Sequence, residues 1–417
     1  MTLVVTLTGS LEAYAQTPSV EEMWRVIQQQ QQMIEQLQAR LAHTETEVKE
    51  TTKTVEVTAD AVQAAGKEGG ARHTTLGGYG ELHFNSLNDN ELTDGDNSFD
   101  QVDFHRFVLY FGHEFTDHIR FFSELELEHV VASSEDPGEV ELEQAWVELD
   151  LNDKHHVRAG LDILPIGIIN NNHEPDTFYG VERNKVETEI IPTTWWEAGI
   201  GLHGELALGW NYDAVLHSGL AVDAAGNTPF RPRDGRLEVA EATDQDWALT
   251  GRVRYTGIPG LEVGVSGQYQ ADVTGTADNI DIDATLFEAH VDWKHASGFG
   301  LRALYARWDF GRDTGANPAA VNAATLDGWY IEPAFRFRLP GTIPGELGIF
   351  TRYSAWDEQN KLPGLLFRYE RYDQIAMGFN WWPHENLAFK FEAQWEDAGG
   401  RVAETFDGIN LGIGYQF

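Results

Sequence analysis

The sequence contains no cysteine, which excludes zinc fingers, thiol nucleophiles and disulfide scaffolds together. Basic residues are scarce, with 29 Lys and Arg against 67 Asp and Glu, and the formal net charge of −38 argues against nucleic-acid binding. No stretch is apolar and uncharged over the roughly eighteen residues that a transmembrane helix needs. The sequence is therefore that of a soluble protein or of a membrane β-barrel, whose alternating strands are polar on average.

The first residues indicate export. An apolar stretch leads to Ala13-Tyr14-Ala15, which has the small-x-small form of a signal-peptidase site. No Lys or Arg precedes Arg25, so the basic region of a signal peptide is missing and we expect the signal to begin upstream of Met1. We predict that residues 1–15 are a signal-peptide remnant; the alternative is a frayed apolar tail.

A heptad repeat follows over residues 19–65. Ser19 and Glu22 form a capping box at its start, and apolar residues recur at every seventh position. The predicted coiled-coil core comprises Val20, Ile27, Ile34, Leu37, Leu41, Val48, Val55 and Val62. The stripe predicts a periplasmic homo-oligomer, for which we expect a trimer; alternatively the helix docks on its own barrel, and segment 51–58 is extended. Residues 66–74, with the sequence GKEGG at their start, are predicted to be a linker.

Residues 75–417 alternate with period two, which predicts β-strands. The predicted strands are 75–86, 101–115, 119–131, 140–151, 156–168, 195–206, 209–220, 246–257, 261–273, 284–296, 298–310, 326–339, 345–357, 369–382, 387–397 and 406–417. Long and short connections alternate between them, as in outer-membrane barrels with short periplasmic turns and long external loops. A soluble sandwich also has alternating faces but gives no reason for alternating loops. We therefore predict an all-β fold, a 16-stranded antiparallel transmembrane β-barrel with an N-terminal α-helical coiled coil.

The Trp pairs 195–196 and 381–382 and the aromatic residues of the last strand are predicted to form interfacial girdles, with ordinary core packing as the alternative. Tyr415 and Phe417 resemble the C-terminal signal that the periplasmic barrel-assembly machinery reads in outer-membrane proteins.

The third external connection, 169–194, is the longest. Structureless loops of this length are usually functional, and one that folds into a sixteen-stranded lumen would set the pore's diameter and charge. The candidate constriction residues are His173, Glu174, Asp176, Tyr179, Glu182, Arg183 and Lys185. The alternative is that these residues are solvated in an external loop.

Three segments resemble the phosphate-selective porin O and P family. They are VRAGLDILPIGIINNNHEP, a strand that runs into the long connection; TTWWEAGIGLHGEL, which opens the next strand; and DFHRFVLYFGHEFTDHIRFFSELELE, two strands joined by a tight turn. The resemblance covers residues 75–417. It implies a trimeric sixteen-stranded outer-membrane channel with the third loop in the lumen, and inward basic residues that select phosphate.

The predicted inward charges depart from that family's pattern. About thirteen acidic positions face about nine basic ones, and carboxylate rings favour cations. The lumen charges singled out are Glu124, Glu126, Glu128, Arg252, Arg254, Arg336 and Arg338, in which the arginines could form a basic strip opposite the glutamates. Alternatively each charge is satisfied by a neighbour across the strand.

Catalytic signatures are absent: no G-x-S-x-G, H-E-x-x-H or P-loop occurs, so we predict no enzyme. The fifteen histidines are scattered in sequence, and we expect no metal and no cofactor. We predict a porin of a Gram-negative outer membrane that passes small hydrophilic solutes with a mild cation preference, its partners being lipid, further copies of itself and the assembly machinery. The alternatives are a specific anion channel for phosphate or a dicarboxylate, and a structural or adhesin-type protein with an occluded lumen.

Overall fold

The computed structural model describes residues 73–90, 98–129, 131, 138–222, 230–239, 247–274, 282–311, 324–360, 368–399 and 405–417, with the isolated Trp24 and Gln31. The barrel unit begins at His73. The predicted signal remnant lies outside the described residues, as do the coiled coil, apart from the helical Trp24 and Gln31, and the linker before His73. Across the described part of the chain, no helix reaches the length and apolarity that crossing a bilayer requires.

Sixteen antiparallel strands form a closed barrel in which each strand pairs with its neighbours in sequence. The strands are β1 Thr74–Asp89, β2 Phe99–Thr116, β3 Ile119–Glu128, β4 Val140–Asn152, β5 His155–Ile163, β6 Trp196–Ala207, β7 Trp210–Ser218, β8 Trp247–Ile258, β9 Leu261–Gln270, β10 Ala284–Lys294, β11 Phe299–Phe310, β12 Ala324–Arg338, β13 Glu346–Asn360, β14 Arg368–His384, β15 Leu387–Ala398 and β16 Phe406–Gln416. A π-helical turn, Val186–Ile190, and a 3₁₀ turn, Pro232–Gly235, lie in two of the connections.

The seam of the barrel joins the first strand to the last. The pairing runs from Tyr79 opposite Gln416 to Asp89 opposite Phe406. Beyond it, the amide of Phe417 donates to Gly78 O over 2.9 Å, and the amide of Gly78 donates to Phe417 O over 3.1 Å. Closure leaves no unpaired edge at this seam, which is the condition for a sheet to exist in lipid.

The polar face of each strand points inward. On β15, Glu392 is 1% exposed and Lys390 is buried, whereas the alternate Trp395 is 47% exposed. The same inversion holds on β10, where Glu288 is buried and Phe287 is 48% exposed. A soluble sandwich buries its apolar face, so these exposures exclude that alternative and fit a barrel with an apolar outer surface.

The strand predictions agree with the structure within a few residues at most ends, but β5 is shorter than predicted. It ends at Ile163 rather than at 168, because Pro165 supplies no amide and the apolar residues that follow pack inside the barrel. The long connection therefore spans residues 164–195 and departs from the barrel wall where β5 ends, at Ile163. It is called loop 3 below.

The connections alternate in length as predicted, with one exception. Two-residue turns such as 117–118, 153–154 and 385–386 lie at one end, and long connections such as 164–195 and 219–246 lie at the other. The exception is that seven residues join both β12 to β13 and β13 to β14. Below, the two ends are called the short-turn end and the long-loop end.

The girdle prediction was wrong for Trp195 and Trp382, which lie inside the barrel. Trp195 is fully buried, and its ring lies 6.1 Å from that of Trp308 inside the barrel. Trp196 is 6% exposed and Trp382 is 4% exposed. Trp381 faces outward and stacks on Phe389 with ring centroids 5.4 Å apart. The buried position of Trp382 is explained by loop residues inside the barrel: its Nε1 donates to the carbonyl of Asp176 over 3.1 Å.

Candidate functional site

Loop 3, residues 164–195, crosses the lumen. Although it connects β5 to β6, its contacts reach walls on every side of the barrel. The strand residues that contact it include Asn85 on β1, Arg106 on β2, Arg252 on β8, Arg302 on β11, Asn380 on β14 and Gln416 on β16. Only a loop inside the barrel can reach opposite walls at once.

One side of the loop forms an apolar core with the wall. Ile166, Ile190 and Trp195 are at most 1% exposed and pack in one cluster with Trp308 of β11. Residues of the connection 219–246, called loop 4 below, join the same cluster. Burial of each large aliphatic side chain contributes about 1.5–3 kcal/mol, so this side of the lumen is filled and firmly held.

Glu187 is the polar centre of that packed side. Its Oε2 accepts hydrogen bonds from the amides of Ile168 and Ile169 over 2.8 Å and 2.7 Å. Its Oε1 accepts from the Tyr330 hydroxyl of β12 over 2.7 Å. A carboxylate that accepts three such bonds fixes the loop's backbone against the wall.

His173 anchors the opposite side of the loop. Its Nε2 lies 3.3 Å from Glu124 Oε1 and 3.6 Å from Glu143 Oε2, and its carbonyl accepts from Arg106 Nη2 over 3.1 Å. Burial disfavours charge on the ring, but the two carboxylates outweigh it and raise the pKa of His173 to about 10. At neutral pH the loop is therefore pinned to β3 and β4 by a buried ion pair.

Glu182 and Arg183 lie where the loop meets the β1 wall. Glu182 Oε1 accepts from Asn85 Nδ2 over 2.9 Å and lies 3.1 Å from His83 Nδ1. Burial acts to raise the pKa of Glu182, but His83 outweighs it and holds that pKa well below its usual range. Arg183 donates to Thr194 Oγ1 over 2.9 Å, and burial lowers its pKa to about 10, so it stays charged at neutral pH.

The remaining predicted loop residues are spread along its length. Asp176 accepts from Gln416 Nε2 over 2.5 Å, and its carbonyl accepts from Trp382 Nε1 over 3.1 Å. The Tyr179 ring stacks on that of Phe350 with centroids 5.4 Å apart, and burial raises the pKa of Tyr179 to about 12. Glu174 is half-buried, and Lys185 lines the cavity described next.

Two glycines of the wall make room for the loop. A Cβ on Gly414 of β16 would lie 2.4 Å from Pro175 Cβ, and one on Gly348 of β13 would lie 2.6 Å from the Tyr179 ring. Both distances are too short for non-bonded carbon atoms, so the loop occupies the space that a side chain would need.

A cavity of about 670 Å³, called the vestibule, remains beside the loop toward the long-loop end. One side of it, the acidic wall, carries Asp103, Glu126, Glu128, Glu139, Glu141 and Glu143 of β2–β4 and the segment before β4. Another part of the lining, the basic wall, carries Arg183, Lys185, Arg231, Arg233 and Arg236 of loops 3 and 4. Among the residues that the structure describes, ten carboxylates and six Lys or Arg side chains line the vestibule, so its lining has an acidic excess.

The structure places the predicted lumen charges in different environments. Glu124 contacts His173, and Glu126 and Glu128 lie on the vestibule. The four predicted arginines each lie within 4 Å of a carboxylate rather than forming a strip on that cavity: Arg252 against Asp213, Arg254 against Glu262, and Arg336 and Arg338 against Glu346. Arg338 is largely exposed at the short-turn end.

The loop 4 arginines of the basic wall were missed by the sequence reasoning. Arg231 lies 2.5 Å from Glu189 of loop 3, and Arg236 donates to the carbonyls of Thr193 and Thr194. The only local signal was the segment RPRDGR, residues 231–236, in which every second or third residue is an arginine. Its position against loop 3 depends on the closed barrel and is not visible in the sequence.

The histidines are less scattered than the sequence indicated. The rings of His83 and His105 stack with centroids 4.6 Å apart, and the ring of His129 lies 5.5 Å from that of His105. Asp103 lies between His105 and His129, and all four residues line the vestibule. Strand pairing brings these residues together from β1, from β2 and from the position directly after β3.

Known proteins share both the sequence pattern and the barrel. Residues 75–417 match the family described as phosphate-selective porin O and P. An uncharacterized protein of Aquifex aeolicus (strain VF5) is 30% identical over 342 residues, which cover 78% of this chain and 76% of the relative.

Solved structures show the same fold at low identity. The anion-selective porin from Comamonas acidovorans superposes with a TM-score of 0.54 at 13% identity, covering 82% of this chain and 99% of that one. OmpF of Salmonella typhi in complex with daunomycin gives 0.55 at 14% identity, covering 82% and 97%. The channel DcaP of Acinetobacter baumannii gives 0.51 at 10% identity, also covering 82% and 97%.

Family and fold together are those of a channel in the outer membrane, as the sequence resemblance implied. The chain belongs to the phosphate-selective porin O and P family of outer-membrane proteins.

Proposed function

We propose that the protein is a water-filled porin with a mild preference for cations, in which loop 3 forms the constriction. Small hydrophilic solutes would enter through the vestibule and pass between the acidic and basic walls. The observation that carries this proposal is the excess of carboxylates, ten against six Lys and Arg, among the described residues that line the vestibule. Rings and walls of carboxylates raise the local concentration of cations.

The position of these charges supports the same proposal. Within the vestibule, Arg106 is paired with Glu81 over 2.5 Å and Arg231 with Glu189 over 2.5 Å, and each pair removes one charge of each sign from the lining. Glu128, Glu139 and Glu141 also line the cavity. The acidic excess of the lining would therefore persist after these pairs are discounted.

A selective anion channel is the second candidate. It is favoured by the convergence of five basic side chains from two loops on one wall, a density that suits an anionic nutrient. Phosphate or a dicarboxylate would be the solute, and it would contact that wall. The two candidates differ in the sign of the selectivity and are separated by a single electrical measurement.

The test is the reversal potential of the reconstituted protein in planar bilayers across a KCl gradient. A cation-selective sign is expected, and Glu128→Gln and Glu139→Gln should each shift the potential toward anions. Arg233→Gln should shift it toward cations, and Glu385→Gln, at a short turn away from the vestibule, should leave it unchanged. An anion-selective sign would favour the second candidate, and the absence of conductance steps would refute both.

The oligomeric arrangement is a further part of the proposal. Residues 19–65 would form a periplasmic coiled coil that holds three barrels together, and the last strand would be recognised by the barrel-assembly machinery before insertion into lipid. Deletion of residues 19–65 should convert a heat-modifiable trimer band on gels into a monomer band. A trimer that persists after the deletion would remove the coiled coil from the proposal.

A further inference from the structure

Two imidazoles and a carboxylate converge at the long-loop end of the acidic wall. His129 Nδ1 lies 2.8 Å from Asp103 Oδ1, and His105 Nδ1 lies 3.1 Å from Asp103 Oδ2. The three candidate ligand atoms all lie within 4.8 Å of one another. Ligand atoms around a tetrahedral Zn²⁺ with bonds of about 2.1 Å are about 3.4 Å apart. Small rotations of the two imidazole rings would therefore bring all three ligand atoms within bonding distance of one metal ion. We propose that Asp103, His105 and His129 bind a divalent transition-metal ion of the Zn²⁺ type.

The backbone holds these residues in place by two irregular features. Glu81 pairs with Arg106 whereas His83 pairs with Asp103, so β2 carries one extra residue and bulges between them. Such bulges re-aim side chains, and here the consecutive His105 and Arg106 both line the vestibule. His129 has a φ of 45°, a left-handed conformation that costs energy for any residue other than glycine. Its amide donates to His105 O over 3.0 Å, which ties the two histidines together.

A third histidine positions the site without joining it. The ring of His83 stacks on that of His105 at an interplanar angle of 13°. Both of its nitrogens are engaged, Nε2 with Glu81 and Nδ1 with Glu182, each at 3.1 Å. His83 therefore restricts the rotation of His105 and leaves the ligand set to the other three residues.

The surroundings favour a cation and leave the site accessible. Glu128 and Glu139 line the same part of the vestibule and add negative charge. The side chains of His105 and His129 are 35% and 33% exposed, which leaves room for a water molecule as a fourth ligand. Two imidazoles with one carboxylate suit Zn²⁺, Cu²⁺ and Ni²⁺, whereas Mg²⁺ and Ca²⁺ prefer sites made of oxygen alone.

The other clusters of possible ligands are less suited. The carboxylates of Glu148 and Asp150 are already paired with Arg120, at 2.6 Å in each case. Glu124, Glu143 and His173 are buried beneath loop 3 as its anchor. The group of Glu139, Glu141 and Glu238 offers no nitrogen ligand.

The experiment titrates the full-length protein in detergent with ZnCl₂ by calorimetry and with CuCl₂ by electron paramagnetic resonance. His105→Gln, His129→Gln and Asp103→Asn should each weaken Zn²⁺ binding by about tenfold or more, and His295→Gln, an exposed histidine in a turn, should leave it unchanged. The copper spectrum should show two coupled imidazole nitrogens in the wild type and one in either histidine variant. Unaltered heat-modifiable migration on gels establishes that each variant is folded.

A measurement without variants tests the same site. Modification of histidines by diethyl pyrocarbonate, mapped by mass spectrometry, should be suppressed by ZnCl₂ at His105 and His129 and unaffected at His295. Equal labelling with and without zinc, or unchanged affinity in the three ligand variants, would overturn the proposal. The outcome does not depend on the ion preference of the channel, so this site and the proposed function stand or fail separately.

Discussion

The buried ion pair at His173 predicts that the docking of loop 3 weakens as pH rises. A shift of the His173 pKa from 6.5 to about 10 corresponds to about 5 kcal/mol, at 1.36 kcal/mol per pKa unit. Because the pKa is raised in the docked state, this contribution is complete below about pH 6.5 and is lost progressively as pH rises to about 10. Within that window the equilibrium constant for docking of the loop falls about tenfold for each pH unit.

Hydrogen exchange of the loop amides, followed by mass spectrometry over residues 169–178, measures that equilibrium. The amides of Asn172 and Thr177 are hydrogen-bonded within this segment and report its opening. Relative to His173→Gln, the protection of the wild-type loop should fall about 30-fold between pH 7 and pH 8.5, after correction for intrinsic exchange. Other titrating contacts of the loop, such as that of His83 with Glu182, are common to both proteins and cancel in the comparison.

The matched control is His295→Gln, which should retain the wild-type pH dependence because that side chain is exposed in a turn far from the loop. A wild-type advantage that is constant with pH, or absent, would refute the reasoning: the ring would then be neutral and the anchor would be an ordinary hydrogen bond.

Two further substitutions test the packing of the loop. Gly414→Val should displace Pro175, at a cost of about 1–3 kcal/mol for overpacking, and raise single-channel conductance, whereas Gly251→Val, whose nearest neighbour is 3.9 Å away, should leave conductance unchanged. Equal conductance in the two variants would place the loop away from the current path. Tyr330→Phe should leave the Glu187 carboxylate one donor short and lower the protection of the Ile168 and Ile169 amides by about 1–3 kcal/mol, with the outward Tyr269→Phe as control. Unchanged protection in Tyr330→Phe would mean that the remaining donors, the two amides and Asn184 Nδ2, are enough to hold the carboxylate.

The barrel was predictable because the sequence of each strand shows the alternating pattern by itself. A wall between lipid and water requires alternation at every position, so the pattern is local and repeats along the chain. β5 shows the limit of this rule. Leu164, Ile166 and Ile168 continue the alternation but pack against Trp195 and Trp308 inside the lumen. A loop buried in the barrel meets the same apolar requirement as a strand, so sequence alone does not separate them.

The chemistry of the vestibule was not predictable because it depends on register between distant strands. His83, His105 and His129 meet only through the pairing of β1, β2 and β3, and the bulge beside His105 shifts that register by one residue. A shift of one residue moves a side chain to the other face of a sheet. The sequence therefore supplied the residues of the candidate constriction without the partners that define their charge.

The reach of loop 3 across the lumen has a consequence for the order of folding. The loop bonds to Asn85 on β1 and to Gln416 on β16, strands that are far apart along the chain and adjacent only at the seam. The strands that carry Asn85 and Gln416 come together only when β1 pairs with β16. That pairing has the largest sequence separation in the barrel, and contacts of this kind form most slowly. We therefore expect loop 3 to complete its docking last, because a chain whose first and last strands have not yet met carries this loop without its final supports.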